Sequence, residues 1–291
     1  MPILQALVEY KKVSGHSILA DVLLPQVKNG PVVLHIHGGA LISGSRKYLQ
    51  KWQANQLLSA GFAIVSIDYR LAPETKLFGI LEDIQDALAW VKGEGASLFG
   101  YNPNRLAVMG GSAGGYLSLM CGTFAVKPKA IVSFYGYGDI LGEWYTRPSG
   151  FYCQRPLITK EEAVASVGKR TISAGGGKRY TFYFYCRQQG IWPEAVSGYH
   201  PLADHEKLLQ ACPADNIGPD YPPALLLHGD QDTDVPYEQS VQMAQALGKR
   251  GIEHRLVTIP GGGHGFDGDS QKPEVRQVFE GVVDFLQNHL A

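Results

Sequence analysis

The sequence has little that would bind a charged polymer, cross a membrane or staple a small scaffold. Its 26 basic and 27 acidic residues nearly cancel, to a net charge of −1, so no long-range field draws a polyanion. It has no basic stripe, C-x-x-C pair or aromatic RNA signature, which argues against nucleic-acid binding. Only four cysteines occur, Cys121, Cys153, Cys186 and Cys212, and they are scattered. Their spacing fits neither a metal site nor a disulfide framework, so free thiols in a reducing compartment are expected. No apolar run approaches the ~18 residues of a membrane span. The first residues, MPILQALVEYKKVSGHS, lack the basic-then-apolar pattern of a signal peptide. Together these absences lead us to expect a cytoplasmic protein with no membrane span.

What is present is a long, apolar-rich chain with a regular rhythm. At 291 residues and 45% hydrophobic, it can bury a large core. Short apolar runs bounded by turn residues alternate with helical patterns. PVVLHIHGG, FAIVSIDYR, RLAVMGG, KAIVSFYG, PALLLHGD and HRLVTIP read as strands. SRKYLQKWQANQLLSAG, closed by Gly61, LEDIQDALAWVKGEG, PYEQSVQMAQALGKRG and PEVRQVFEGVVDFLQNHL read as helices. Such alternation predicts an α/β fold, a mostly parallel, doubly wound sheet with helices on both faces.

Residues 139–219 break the rhythm. They hold Trp144, Tyr145, Phe151, Tyr152, Tyr180, Phe182, Tyr183, Phe184, Tyr185, Trp192 and Tyr199, with Gly175, Gly176 and Gly177 among them. The stretch is either extra packing at the sheet edge or a cap over a site. With no repeat and no low-complexity linker, one domain spanning 1–291 with an inserted cap at about 139–219 is expected rather than two domains.

Four short stretches carry chemistry. In MGGSAGG, Gly110, Ser112 and Gly114 form G-x-S-x-G between a strand and a helix, the setting of a nucleophile elbow. The glycines relieve collisions around a strained turn that exposes one serine. The Ala113 N–H at the helix start then points at any oxyanion bound there. A serine needs a base, oriented by an acid, in the order Ser, Asp or Glu, His. His264, in PGGGHGF, lies on a glycine-rich loop after a strand and is the best-placed base. His228 and His254 bound strands, which suits structural roles. The loop HGDQDTDVP offers Asp230, Asp232 and Asp234, which position separates only weakly. Asp230 reads as a turn holder and Asp234 as a partner for the next helix's start. In HIHGGA, successive glycines let the Gly38 and Gly39 N–H groups turn toward an oxyanion. All four stretches fall at the carboxyl ends of strands, where ligands of such sheets bind.

With these residues in place, the sequence resembles the α/β-hydrolase superfamily, and within it the carboxylesterases related to hormone-sensitive lipase. HGG at 37–39, DYRLAPE at 68–74, GGSAGG at 110–115, HGDQDTDVP at 228–236 and HGF at 264–266 carry the resemblance. It covers about three quarters of the chain and leaves out the aromatic stretch. It implies Ser112 as nucleophile, His264 as base and Asp232, matching the family's HG-x-x-D-x-x-VP, as acid. It also implies an oxyanion hole from Gly38, Gly39 and Ala113. The sequence departs from the pattern in having Ala40 for the last glycine of H-G-G-G and Gly111 for the common Asp before the serine. About thirty residues precede the HGG strand, where the lipase-like members carry a sizeable N-terminal cap. These departures leave substrate size and chemistry open.

The expected function is a serine carboxylesterase working on short-to-medium acyl, aryl or sugar esters through an acyl-enzyme, with no metal or organic cofactor. The same triad could serve a small amidase, peptidase or lactonase, and a scaffold that only binds ligand is the third reading. The edge strand HRLVTI is a candidate for pairing in a homodimer.

Overall fold

The computed structural model describes residues 4–291. Eight strands form its sheet: β1 (Leu4–Val13), β2 (His16–Leu24), β3 (Val32–Ile36), β4 (Ala63–Ile67), β5 (Leu106–Gly111), β6 (Ala130–Phe134), β7 (Ala224–Gly229) and β8 (His254–Ile259). Their spatial order is β1-β2-β4-β3-β5-β6-β7-β8. From β4 to β8 every pairing is parallel, and β1 and β2 pair antiparallel at the other edge. The helices are α1 (Lys51–Ser59), α2 (Leu77–Lys92), α3 (Glu94–Phe99), α4 (Ala113–Met120), α5 (Glu143–Thr146), α6 (Lys160–Ala165), α7 (Tyr180–Gln189), α8 (Trp192–Ser197), α9 (His205–Leu209), α10 (Glu238–Lys249) and α11 (Pro273–His289).

The central strands are buried on both faces, and alternate side chains enter two separate cores. Leu34, Val65, Val108, Ile131 and Leu226 pack with Ile84 and Leu88 of α2, Leu117 of α4 and Met243 of α10. Val33, Ile64, Ala107, Val132 and Leu225 pack with Leu57 of α1 and Phe279, Val282 and Leu286 of α11. Helices therefore cover both faces, as the alternation predicts. HRLVTI forms β8, an edge strand, as expected.

Two features differ from the sequence reading. The first is the β1–β2 hairpin, whose period-2 pattern is interrupted by charged pairs. Ser14 and Gly15 both take positive φ, 47° and 84°, in the turn that joins the strands. The second is the helix expected from Ser45, which starts only at Lys51. Arg46 instead donates from its backbone and its guanidinium to Asp68, and from Nε to Asp21 at 3.1 Å. Those tertiary bonds hold 46–48 in a short 3-10 turn.

Between β6 and β7 lie α5 to α9, separated by turns. Here Tyr137, Tyr145 and Trp192 are buried; the Tyr145 and Trp192 rings stack 4.1 Å apart, and the Tyr137 ring meets both edge-on. Two buried or half-buried ion pairs tie this stretch to the sheet, Arg179–Glu74 and Arg187–Asp234.

Candidate active site

Strand β5 ends in the glycine-rich turn that carries Ser112. Ser112 sits at φ 56°, ψ −123°, strained for any residue with a side chain. A Cβ on Gly110 would lie 2.5 Å from the carbonyl oxygens of Gly114 and Ile36, and one on Gly114 would lie 2.0 Å from Ile36 O. Glycine is thus required where α4 packs against β3 immediately beside the bend. The turn is closed by the Ser112 N–H donating to Phe134 O at 2.9 Å.

The structure brings Ser112, His264 and Asp232 into one line. His264 Nε2 is 3.1 Å from Ser112 Oγ, and His264 Nδ1 is 2.7 Å from Asp232 Oδ2. Of the three loop carboxylates, Asp232 alone reaches Nδ1. Its other oxygen accepts the N–H groups of Asp234 and Val235 at 2.8 and 2.9 Å. His228 Nε2 lies 3.3 Å from Oδ2 and holds that side. Burial works against the Asp232 charge, but hydrogen bonds from His228 and His264 outweigh it and hold the carboxyl well below its usual range. Burial likewise opposes the His264 imidazolium. The bond to Asp232 and the fields of Asp234, Asp232 and Asp267 overcome it, so the His264 pKa is raised. Asp230, expected to hold a turn, accepts the Gly261 N–H at 2.7 Å and ties the loops after β7 and β8 together.

Gly38, Gly39 and Ala113 flank the serine. Their N–H groups donate to no protein group among the described residues. Gly39 is at φ 107°, where a Cβ would meet Ser43 O at 2.1 Å, so the loop closes only on glycine. Ala40, in place of the usual third glycine, takes φ 56°, and Leu41 takes 62°. The Trp192 indole donates to Ala40 O at 3.1 Å and pins the loop there.

Ser112, His264, Gly38, Gly39 and Ala40 line a cavity of about 290 Å³. Its wall also includes Tyr48, Tyr135, Tyr180, Tyr183, Asp234 and Asp267, with no Lys or Arg. Three neighbouring residues, Tyr135, Gln53 and Asp267, escaped the sequence reading. Tyr135 packs on His264, centroids 4.7 Å apart, and donates to Asp267 at 2.6 Å. Gln53 donates to the other Asp267 oxygen at 2.8 Å. Asp234, expected as a partner for the start of the next helix, has another role. It caps no helix, since α10 starts at Glu238, and instead accepts hydrogen bonds from Tyr183 and Arg187 of α7. The Asp after HGF was a readable signal for Asp267, but no local motif links Asp234 to a partner 47 residues away.

Fold and sequence together point one way: the chain has the α/β-hydrolase fold, and two family models each match part of it. The BD-FAE family model matches residues 20–149, and the prolyl oligopeptidase family model matches 181–291. An α/β-hydrolase superfamily protein from Enterococcus faecalis superposes with TM-score 0.77 at 22% identity, covering 98% of this chain and 99% of that one. Esterase 2 of Thermogutta terrifontis gives 0.70 at 20%, covering 98% and 94%. An acetyl ester-xyloside bifunctional hydrolase from Caldicellulosiruptor lactoaceticus gives 0.73 at 19%, covering 97% and 96%. At these identities the likeness is one of fold. Among curated sequences, a non-reducing polyketide synthase of Aspergillus calidoustus is 29% identical over 98% of this chain, and one of Preussia isomera is 27% identical over 97%. The chain spans only 14% and 15% of those two proteins. All four cysteines are free thiols, and among the described residues no helix is long and apolar enough to cross a membrane.

Proposed function

We propose that the chain is a serine carboxylesterase acting on small acyl, aryl or sugar esters. The observation that carries this reading is the continuous line Ser112 Oγ–His264–Asp232, at 3.1 and 2.7 Å, beside three undonated N–H groups. In this account His264 Nε2 takes the Ser112 proton as Oγ attacks the ester carbonyl. The oxyanion is held by Gly38, Gly39 and Ala113. Asp232 keeps Nδ1 protonated and balances the imidazolium. His264 then gives its proton to the leaving alcohol, and the acyl group stays on Ser112. Water, deprotonated by His264, releases the acid and restores Ser112. A cavity near 290 Å³ suits a small substrate.

In the same reading, residues 139–219 act as a cap whose Tyr180 and Tyr183 close the cavity opposite the serine, and the protein is cytoplasmic and pairs as a homodimer through β8. The test is hydrolysis of p-nitrophenyl esters from acetate to decanoate by wild type and Ser112→Ala. Serine-dependent turnover, strongest on short chains, is expected, and folded wild type inert on the whole series would sink the reading. A second reading is favoured by the likeness to a stretch of polyketide synthases: the same groups would release a polyketide acyl chain from a thioester. A higher kcat/KM on an aryl thioester than on its matched oxygen ester would favour it.

A further inference from the structure

Asp234 stands where the leaving group must pass, and its two oxygens have different surroundings. Oδ1 accepts from the Tyr183 hydroxyl and from Arg187 Nη1 at 2.7 Å, and Arg187 Nη1 also donates to the Asp234 carbonyl at 3.0 Å. Arg187 is buried, 3% exposed, with its guanidinium over the rings of Tyr145 and Tyr152 at 5.0 and 5.1 Å. The carboxylate is therefore fixed in orientation. Oδ2 lies 3.7 Å from His264 Nε2, Asp234 lines the cavity, and the Tyr152 hydroxyl also neighbours the carboxylate. Anchoring Arg187 accounts for Oδ1, and Oδ2 is the oxygen nearest His264. The turn itself is held by Asp232, not Asp234.

His264 Nε2 is the atom that, in the esterase reading on which this inference rests, hands its proton to the leaving oxygen. That oxygen must come within hydrogen-bond reach of Nε2. Oδ2 is then its neighbour, and an ester oxygen has no proton to offer a carboxylate. A plain alkyl leaving group strips water from Oδ2 and returns nothing, which costs free energy. A leaving group with a hydroxyl on the adjoining carbon places a donor in that gap. A cation is disfavoured because Arg187 already balances the Asp234 charge from the far side. An anionic leaving group meets two wall carboxylates, Asp234 and Asp267, and no Lys or Arg.

We propose that Asp234 is a specificity-determining residue: its Oδ2 accepts a hydrogen bond from a hydroxyl on the carbon next to the one bearing the ester oxygen, so the enzyme selects monoesters of vicinal diols over esters of simple alcohols. No new bond is made or broken, since the selection acts on the orientation of the leaving alcohol as His264 protonates it.

The experiment compares kcat/KM for 2-hydroxyethyl butyrate, propyl butyrate, 2-methoxyethyl butyrate and butyrylcholine, following acid release at constant pH. p-Nitrophenyl butyrate runs alongside as the check on esterase activity itself. Wild type is expected to prefer the hydroxyethyl ester over the propyl ester, its equal in size, by about tenfold or more, the usual worth of a hydrogen bond to a charged acceptor. The methoxyethyl ester, which keeps the oxygen and loses the proton, should fall with the propyl ester. Asp234→Asn should bring the hydroxyethyl-to-propyl ratio close to one. Asp234→Glu, which keeps a charge for Arg187 but moves the oxygens, should lower the ratio as well. If both variants fail to fold, the wild-type ratios decide alone. Turnover of p-nitrophenyl butyrate with equal rates on the hydroxyethyl and propyl esters overturns the inference and leaves the esterase reading standing. A preference that survives in folded Asp234→Asn, or faster turnover of butyrylcholine, also overturns it. No turnover of any ester overturns the esterase reading and this inference together.

Discussion

On one side, Ser112 and His264 line the cavity from loops leaving β5 and β8, with Asp232 behind His264 on the loop after β7, and backbone geometry holds them. On the other side, Tyr180 and Tyr183 stand on the ten-residue α7, held by side chains: Arg187 with Asp234, Arg179 with Glu74, and the edge-to-face rings of Tyr152 and Tyr183. The first side needs particular residues at fixed short spacings, because an elbow or a glycine turn tolerates nothing else. The second side needs only enough aromatic and guanidinium contact to hold together, and many sequences satisfy that. In the proposed reading, one wall fixes the chemistry and the other shapes what enters.

The sharpest break is on the sheet side. Ser112→Ala should cut kcat/KM on p-nitrophenyl butyrate by about four to six orders of magnitude with no change in fold by circular dichroism. Asp232→Asn should cost about four orders of magnitude in kcat, because the imidazole loses the acceptor that fixes its tautomer. A loss under tenfold in either variant would mean that the hydrogen-bonded line is not the working one.

The helical side should respond in stability more than in chemistry. Arg187→Leu leaves Asp234, 17% exposed, without its charge partner. We expect a loss of about 3 kcal/mol, read as a lower midpoint in urea unfolding. Surviving folded enzyme should keep the largest part of its kcat. An equal fall in kcat and stability would erase the contrast between the two walls.

The pH profile joins the sides, since Asp234 acts on His264 through space. His264 works as a base only when neutral, so activity falls as pH drops through its pKa. That pKa is raised, so the acid limb of kcat/KM should lie above the ordinary histidine value of about 6.5. Removing the Asp234 charge in Asp234→Asn should move the limb to lower pH. An acid limb below the ordinary value would contradict the fields assigned to Asp232, Asp234 and Asp267. The smallest effect is expected from Trp192→Phe, which removes the donor to Ala40 O. It should cost about 1 kcal/mol of stability and less than tenfold in kcat/KM.

The same contrast explains what could be read in advance. The parallel strands and covering helices were legible because burial on both faces writes near-continuous apolar runs such as PVVLHI and ALLLHG. The serine, the histidine and the glycine turns were legible because each sits beside a strand end with an unmistakable local pattern. Asp232 could not be chosen from its loop by position, because its distinction from Asp230 and Asp234 lies in which tertiary partner each meets. The hairpin β1–β2 was hidden by the charged residues of its exposed face, and the late start of α1 by Arg46 being drawn to Asp21 and Asp68. Tyr135, Gln53 and Asp267 form one hydrogen-bonded unit from three distant segments, a link no single stretch can display.

The central claim is that Ser112 is the nucleophile. Treating the folded protein with a fluorophosphonate probe and mapping the adduct by peptide mass spectrometry tests it directly. The account predicts one adduct per chain, on Ser112, formed in step with loss of ester hydrolysis and absent in Ser112→Ala. An adduct on another residue, or full inactivation with Ser112 unmodified, would contradict it.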